Sequence, residues 1–318
     1  VIGGPVVILY GPTASGKSGL AIQLAERLGG SVINADSLQV YAELEILTAR
    51  PSADAASRVP HRLYGVLPAR EPSSAAWWRL QALAEIRRAQ ENGLVPILTG
   101  GTGLYIKALM EGLSPVPGAD RETRALATAL YAELGGEAFR TALAERDPKT
   151  AARLAPGDRQ RLIRAWEVVE STGIPLSEWQ AKPRDPGHDL TFRLIGLIPP
   201  RAMLYARIDR RFTEMLARGA LDEARAFDAL GLPASLPANK ALGLPELRRH
   251  LKGEIGLDEA AALARQATRN YAKRQLTWFR HQLAPTGSSA RSHDSHAIFA
   301  ELSERNLAQI ISFVVGAG

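Results

Sequence analysis

The sequence predicts an α/β fold: a parallel sheet flanked by helices, interrupted by an all-helical insertion. Three observations lead there. Short apolar runs alternate with amphipathic helical stretches over residues 1–112. The run Val6–Tyr10, the octet GPTASGKS at Gly11–Ser18 and the helically spaced Leu20, Ala21, Leu24, Ala25 and Leu28 make a strand–loop–helix unit. After Gly112 the strand signal disappears and returns only at Phe192.

The octet fits G-x-x-x-x-G-K-[ST] at every fixed position, so the predicted core is P-loop NTPase-like. Its glycines let the backbone curl around a polyphosphate, with N–H groups converging at the positive end of a helix. Gly11, Pro12, Thr13, Ala14, Ser15, Gly16, Lys17 and Ser18 are therefore candidate di- or triphosphate-binding residues. Lys17 can reach the terminal phosphates, and the Ser18 hydroxyl suits a magnesium ion. The loop alone leaves open which phosphate compound is held.

The remaining elements follow in order. Strands are expected at Ser31–Asn34 and Val95–Thr99, with a weaker one at Leu63–Leu67, and a helix runs from Ser74 to Gln90. Leu113–Gly118, with Pro115 and Pro117, reads as a linker. Helices are expected over Asp120–Leu134, Glu137–Arg146, Pro148–Leu154 and Asp158–Ser171, each bounded by Gly, Pro or Asp. The polar stretch Lys182–His188 closes the insertion, and Phe192–Ile198 rejoins the first sheet. Leu204, Ile208, Phe212 and Met215 mark another helix, Gly231–Pro245 reads as a loop, and Thr286–Ser295 is polar before a last amphipathic helix. The expected division is a core of residues 1–112 and 191–285, an insertion of 113–190, and a tail of 286–318.

Composition narrows the function. The 318 residues are 46% hydrophobic, yet no run approaches the ~18 apolar residues of a membrane span. No charged-then-apolar leader precedes Val6, so a cytoplasmic location is expected. Cysteine is absent, which excludes disulfides, thiolate metal sites and thiol nucleophiles. Any metal must be held by oxygen and phosphate. The net charge of +6 is compatible with a polyanionic partner.

Three loops should meet at the carboxyl ends of the strands, where open α/β sheets bind ligands. One is the phosphate loop. The second, Asn34–Tyr41, carries Asp36, readable as a helix N-cap or as a general base or magnesium ligand. The third, Gly100-Gly101-Thr102-Gly103, is expected to form a second anion-binding turn with the Thr102 hydroxyl. The strand Val95–Thr99 ends without the acid that energy-coupling phosphate-loop proteins carry, which favours a transferase over a motor or switch. Basic residues gather twice. Arg159–Arg164 sets Arg161 and Arg164 on one helix side, with Ile163 and Trp166 inward; Arg265, Arg269 and Lys273 follow i, i+4 spacing near Tyr271 and Trp278. Each alone reads as a solvated helix face, but two on one basic chain, interleaved with aromatics, point to phosphate-backbone contacts.

GPTASGKS, NADSLQVY, GGTGLY, QRLIRAWEVVESTG and TRNYAKRQLTWFR occur in that order between Val6 and Arg280, and together they resemble the tRNA dimethylallyltransferase family. The resemblance implies transfer of a dimethylallyl group from dimethylallyl diphosphate to the exocyclic amine of the adenosine 3′ of the anticodon. It further implies that the phosphate loop holds the diphosphate leaving group with Mg2+, that Asp36 accepts the amine proton, and that Lys17 and Thr102 assist. Asp36, Ser37, Leu38, Gln39 and Thr102 would line the flipped base. Arg124, Gln160, Arg161, Leu162, Ile163 and Arg164 of the insertion would lie in the segments gripping the anticodon stem-loop, with Lys240, Arg269, Lys273 and Arg274 as further tRNA contacts. The segment Asn239–Glu246 departs from the family pattern, as does Arg62 after His61. A small-molecule or nucleotide kinase using ATP, with Arg161 and Arg164 on a lid, is the alternative; an RNA-binding adaptor without catalysis is a third reading. Nothing in the sequence demands more than a monomer.

Overall fold

The computed structural model describes residues 4–118, 120–283, 295–300 and 303–316. Strand β1 (Val6–Tyr10) is buried throughout, as expected of a strand covered on both faces. Helix α1 (Lys17–Leu28) buries Leu20, Ala21, Leu24 and Ala25 and stops at left-handed Gly29. Then come β2 (Gly30–Asn34), α2 (Ala53–Arg58), β3 (His61–Arg62), α3 (Ala75–Glu91), β4 (Val95–Gly100) and α4 (Gly103–Glu111). Ser74 caps α3 by accepting the Trp77 N–H. The insertion supplies α5 (Arg121–Ala144), α6 (Pro148–Arg153), α7 (Arg159–Thr172) and α8 (Leu176–Ala181). The chain returns through β5 (Phe192–Leu197), α9 (Arg201–Ala217), α10 (Ala220–Asp228), α11 (Leu244–Leu251), α12 (Leu257–Gln282), β6 (Ser295–Phe299) and α13 (Glu304–Val315).

Among the described residues the sheet has six strands in the order β3-β2-β4-β1-β5-β6, and every pairing is parallel. Two compact units result. One joins the described residues up to Leu109 with those from His188 onward, and the other is Met110–Gly187. Among the described residues no helix is long and apolar enough to cross a membrane.

Several expectations need correction. No strand covers Leu63–Leu67: pairing ends at Arg62 because Leu63 is left-handed at φ 63. That turn sends the Leu63 carbonyl to the Asn34 carboxamide at 2.9 Å, leaving only a bridge between Tyr41 and Leu67. By contrast, the first two insertion helices are separate as expected, since α5 is broken at non-helical Gly135 (φ 73, ψ 167). Gly231–Pro245 is not all loop, since it holds a 3-10 turn at Pro237–Lys240 and the start of α11.

The largest correction concerns the tail. Most of the polar stretch Thr286–Ser295 lies outside the described residues, but beyond it β6 pairs with β5 from Arg193↔Ser295 to Leu197↔Phe299. Leu307, Ile310 and Val314 of α13 join the core cluster of Leu20, Leu24, Ile195 and Leu197. This segment is part of the core because its helix covers a sheet face that would otherwise meet water.

The insertion has its own core, built on Phe139, Leu143, Leu162, Ile163, Val168 and Leu176. Asp147 organises it. Its carboxylate accepts from Thr150 N–H, Ser177 N–H and Ser177 Oγ at 3.0, 3.0 and 2.7 Å. Burial alone would raise its pKa, but these bonds outweigh burial and hold it below the usual carboxylate range.

If α13 is integral to the core, Ile310→Ala should destabilise the protein by about 2–5 kcal/mol in urea denaturation, the range for emptying a buried aliphatic site. An unchanged midpoint would return the segment to a dispensable tail.

Candidate active site

The phosphate loop leaves the buried end of β1 and enters α1. Gly11 (φ 153) is required by close approach, since a Cβ there would lie 2.3 Å from the Leu197 carbonyl of β5. Lys17 is buried, and its ammonium donates to the Pro12 carbonyl at 2.7 Å and the Ser15 hydroxyl at 3.3 Å. Ser18 lies exposed in the first turn of α1.

Asp36 is positioned by Asn34, the last residue of β2. The Asn34 side chain accepts the Asp36 N–H at 2.8 Å and donates to the Asp36 and Leu63 carbonyls. Its own carbonyl accepts the Trp78 indole N–H at 2.7 Å. The Asp36 carboxylate accepts the Leu38 N–H at 2.9 Å. The helix N-cap alternative does not apply, because residues 37–49 form turns rather than a helix.

The GGTG turn packs tightly against its neighbours. Thr102 Oγ1 accepts the Ser37 N–H at 2.9 Å, so the hydroxyl ties the turn to the Asp36 loop. The glycines are there for close packing. A Cβ would lie 2.1 Å from the Ala35 carbonyl at Gly100, 2.1 Å from Gln275 Nε2 at Gly101, and 2.1 Å from the Trp278 ring at Gly103. None of the three has positive φ. The motif is small because α12 and the β2 loop press against it.

Sequence reasoning missed three side chains here. Gln275, buried on α12, accepts the Thr13 N–H at 2.8 Å and donates to the Gly101 carbonyl at 2.9 Å. Arg207 and Arg211 of α9 donate to the Ser15 carbonyl at 3.1 Å and the Thr13 hydroxyl at 2.7 Å. The only sequence signal was arginines at 207, 210 and 211 beside the apolar stripe of α9, and nothing in that spacing says which cleft they enter.

Together these groups line a crevice of about 640 Å3 that includes Lys17, Asp36, Gly101, Arg207, Arg211 and Gln275. A second, mostly apolar pocket adjoins it, walled by Leu38, Leu47, Ile208, Phe212, Met215 and Leu242. Thr13, Asp36, Thr48 and Arg211 belong to both.

The electrostatics follow from burial. Lys17 is pushed down to about 7 by burial, offset in part by Asp36 and reinforced by Arg211. Burial raises Asp36, against the Leu38 N–H, Lys17, the Gln39 N–H and Arg211, which all pull it down. Burial lowers Arg211, opposed by Asp36 and Glu214. An anion in the crevice would therefore find cations already stripped of much of their water.

The predicted RNA-binding residues separate into groups. Ser37, Leu38 and Gln39 border Asp36, and the Gln39 amide is spent on the Thr48 and Ala49 carbonyls at 2.9 and 3.0 Å. Lys273 and Arg274 are exposed and line a shallow groove with Trp278 and His281. Lys240 is exposed at the end of its 3-10 turn. Arg269 is instead paired with both Asp209 carboxylate oxygens at 2.6 Å. In the insertion, Arg124 (3.5 Å) and Arg164 (3.3 Å) converge on buried Glu167, while Arg161 pairs with Asp158 and Gln160 is exposed. Leu162 and Ile163 must be corrected: both are buried in the insertion core, where their side chains cannot meet RNA.

The depressed Lys17 pKa makes a stability prediction. Between about 7 and 10.5 the unfolded chain holds a proton that folded Lys17 has released, so stability should rise with pH across that window. Urea denaturation at pH 7.5 and 9.5 should show a smaller rise, or none, for Lys17→Met than for wild type. Equal slopes would mean that Lys17 stays solvated.

Two family models match the chain, "IPP transferase" over residues 39–282 and "Isopentenyl transferase" over residues 4–67. The chain is 56% identical over 281 residues to the tRNA dimethylallyltransferase of Rhodospirillum centenum, covering 88% of this chain and 90% of that one. It is 50% identical over 309 residues to the enzyme of that name from Granulibacter bethesdensis, covering 97% of both. Among solved structures it is similar to the tRNA isopentenylpyrophosphate transferase of Bacillus halodurans, with 32% identity, a TM-score of 0.67, and 98% and 96% of the two chains covered. A eukaryotic dimethylallyltransferase acting on tRNA shares the fold, with a TM-score of 0.80 at 24% identity over 98% of this chain and 80% of that one.

Proposed function

Because the chain belongs to the IPP transferase family, we propose that it is a tRNA dimethylallyltransferase, moving the allylic group of dimethylallyl diphosphate onto the exocyclic amine of the adenosine 3′ of the anticodon. The observation that carries the chemistry is the junction of two unlike cavities at Asp36. A cationic crevice suits a diphosphate, and the apolar pocket beside it suits a five-carbon chain.

The reaction joins the amine nitrogen to the allylic carbon as the carbon–oxygen bond to diphosphate breaks. Negative charge grows on the departing diphosphate, where Lys17, the N–H groups of Gly16–Ser18, Arg207 and Arg211 can meet it. Diphosphate beside Lys17 would raise its depressed pKa and keep it charged at neutral pH. The amine proton passes to Asp36, whose burial raises its basicity. Thr102 and Asn34 hold the Asp36 loop in place.

Magnesium fits as a shared ligand. Among the described residues no group of three or more His, Cys, Asp or Glu gathers to hold a metal. The Ser18 hydroxyl and the diphosphate's own oxygens would hold the ion, which when bound neutralises leaving-group charge. For tRNA, exposed Lys273 and Arg274 beside Trp278 offer phosphate contact and a stacking face. Arg124, Gln160, Arg161 and Arg164 offer a second basic surface on the insertion. The protein acts as a cytoplasmic monomer in this reading, where its substrate tRNA resides.

Labelled dimethylallyl diphosphate with magnesium and unmodified tRNA should yield labelled RNA, and Asp36→Asn should lower kcat by about 10²–10⁴-fold, the usual contribution of a general base. ATP consumption with a small acceptor, and no labelled RNA, would favour a kinase. Lys273→Ala and Arg274→Ala should each weaken tRNA binding at all sequences and flatten its log–log salt dependence by roughly 0.7–0.9, as loss of one phosphate contact requires. An unchanged slope would remove α12 from the interface.

A further inference from the structure

One wall of the apolar pocket is the loop of residues 43–49, which is neither helix nor strand. It reaches the pocket through Leu47, buried, and Thr48. Its conformation is costly, since Ala49 is left-handed at φ 53 without being glycine. Three consecutive N–H groups of this loop point at one side chain far along the chain. Glu223, in the first turn of α10, accepts from Glu45 N–H at 2.7 Å and Ile46 N–H at 2.8 Å through Oε1. Its Oε2 accepts from Leu47 N–H at 2.8 Å. Successive N–H groups around a carboxylate form a charge-assisted nest, with bonds roughly twice as strong as those to a neutral oxygen.

We propose that Glu223 is a positioning residue that fixes this wall, and thereby sets how well a five-carbon allylic chain is held and how strictly longer chains are refused. The proposal rests on reading the apolar pocket as the seat of the allylic group. Glu223 touches no reacting atom. It acts through Leu47 and Thr48, which border the pocket together with Phe212 and Met215 of α9. Other bonds shape the loop from within: Thr48 Oγ1 donates to the Leu44 carbonyl at 2.7 Å, and Arg50 pairs with Glu45 at 3.0 Å. Glu223 alone accepts the three N–H groups preceding Thr48, and both of its oxygens are engaged.

The test compares wild type with Glu223→Gln. The amide keeps the shape but replaces one acceptor oxygen with a donor, facing either the Leu47 N–H or the other two. Wild type is first assayed with dimethylallyl diphosphate and tRNA; no transfer there overturns the reading beneath the proposal, and the proposal with it. With transfer established, Glu223→Gln should raise the donor KM roughly tenfold, a loss of binding on the scale of a charge-assisted hydrogen bond, and leave the tRNA KM within about twofold. Its preference for dimethylallyl over geranyl diphosphate should fall by a similar factor. Inorganic pyrophosphate should bind within about twofold of wild type by calorimetry, because Lys17, Arg207 and Arg211 are held by Pro12, Ser15 and Thr13 rather than by this loop. Leu47→Ala should reproduce the relaxed donor preference, which keeps the test decisive if Glu223→Gln does not fold. A lowered Tm with donor KM and preference unchanged would make Glu223 merely structural and overturn the proposal, as would an unrelaxed preference in Leu47→Ala.

Discussion

The buried Gln275 carboxamide holds the site together. It stands on α12, yet its two ends bond the phosphate loop at Thr13 and the GGTG turn at Gly101, segments that follow different strands. Its approach is possible only because Gly101 has no side chain. One amide therefore sets the spacing between the loop that suits diphosphate and the turn that supports the Asp36 loop through Thr102 and Ser37. A buried amide satisfied at both ends favours one arrangement over its neighbours, because any other leaves polar groups dry and unpaired.

Around that frame the protein accumulates charge that burial makes expensive. Lys17, Asp36 and Arg211 each depart from their ordinary titration in the direction that burial dictates, and each partly relieves or aggravates another. The arrangement is cationic on balance and suits a dianionic or trianionic ligand. Such a ligand would repay the desolvation already incurred, which is how a preorganised site stabilises a departing diphosphate. Asp36 is the carboxylate among the four residues, with Thr13, Thr48 and Arg211, that line both the cationic crevice and the apolar pocket.

The insertion follows a different logic. All three of its candidate RNA-binding arginines are paired within the unit, Arg124 and Arg164 with Glu167 and Arg161 with Asp158. The Glu167 side chain is 3% exposed while that of Arg124 is 69% exposed. Such pairing leaves guanidinium edges in water but fixes where they stand, so a phosphate would meet an oriented donor rather than a free chain.

Sequence alone determined the α/β core, the helical insertion, the phosphate loop and Asp36, because each is written in local terms. Apolar period, glycine spacing and caps act within a few residues of one another. It also carried the family through five ordered motifs. Only the tertiary structure decided what touches what. Gln275 and Thr13 lie 262 residues apart, and Glu223 meets a loop 176 to 178 residues before it. Arg269 went to Asp209 rather than to solvent, and Leu162 and Ile163 went inward. The sixth strand was hidden because an edge strand of five residues after a polar stretch has no periodicity to announce it. Its place comes from hydrogen bonds to β5, and such pairing is a property of two segments, not of either one.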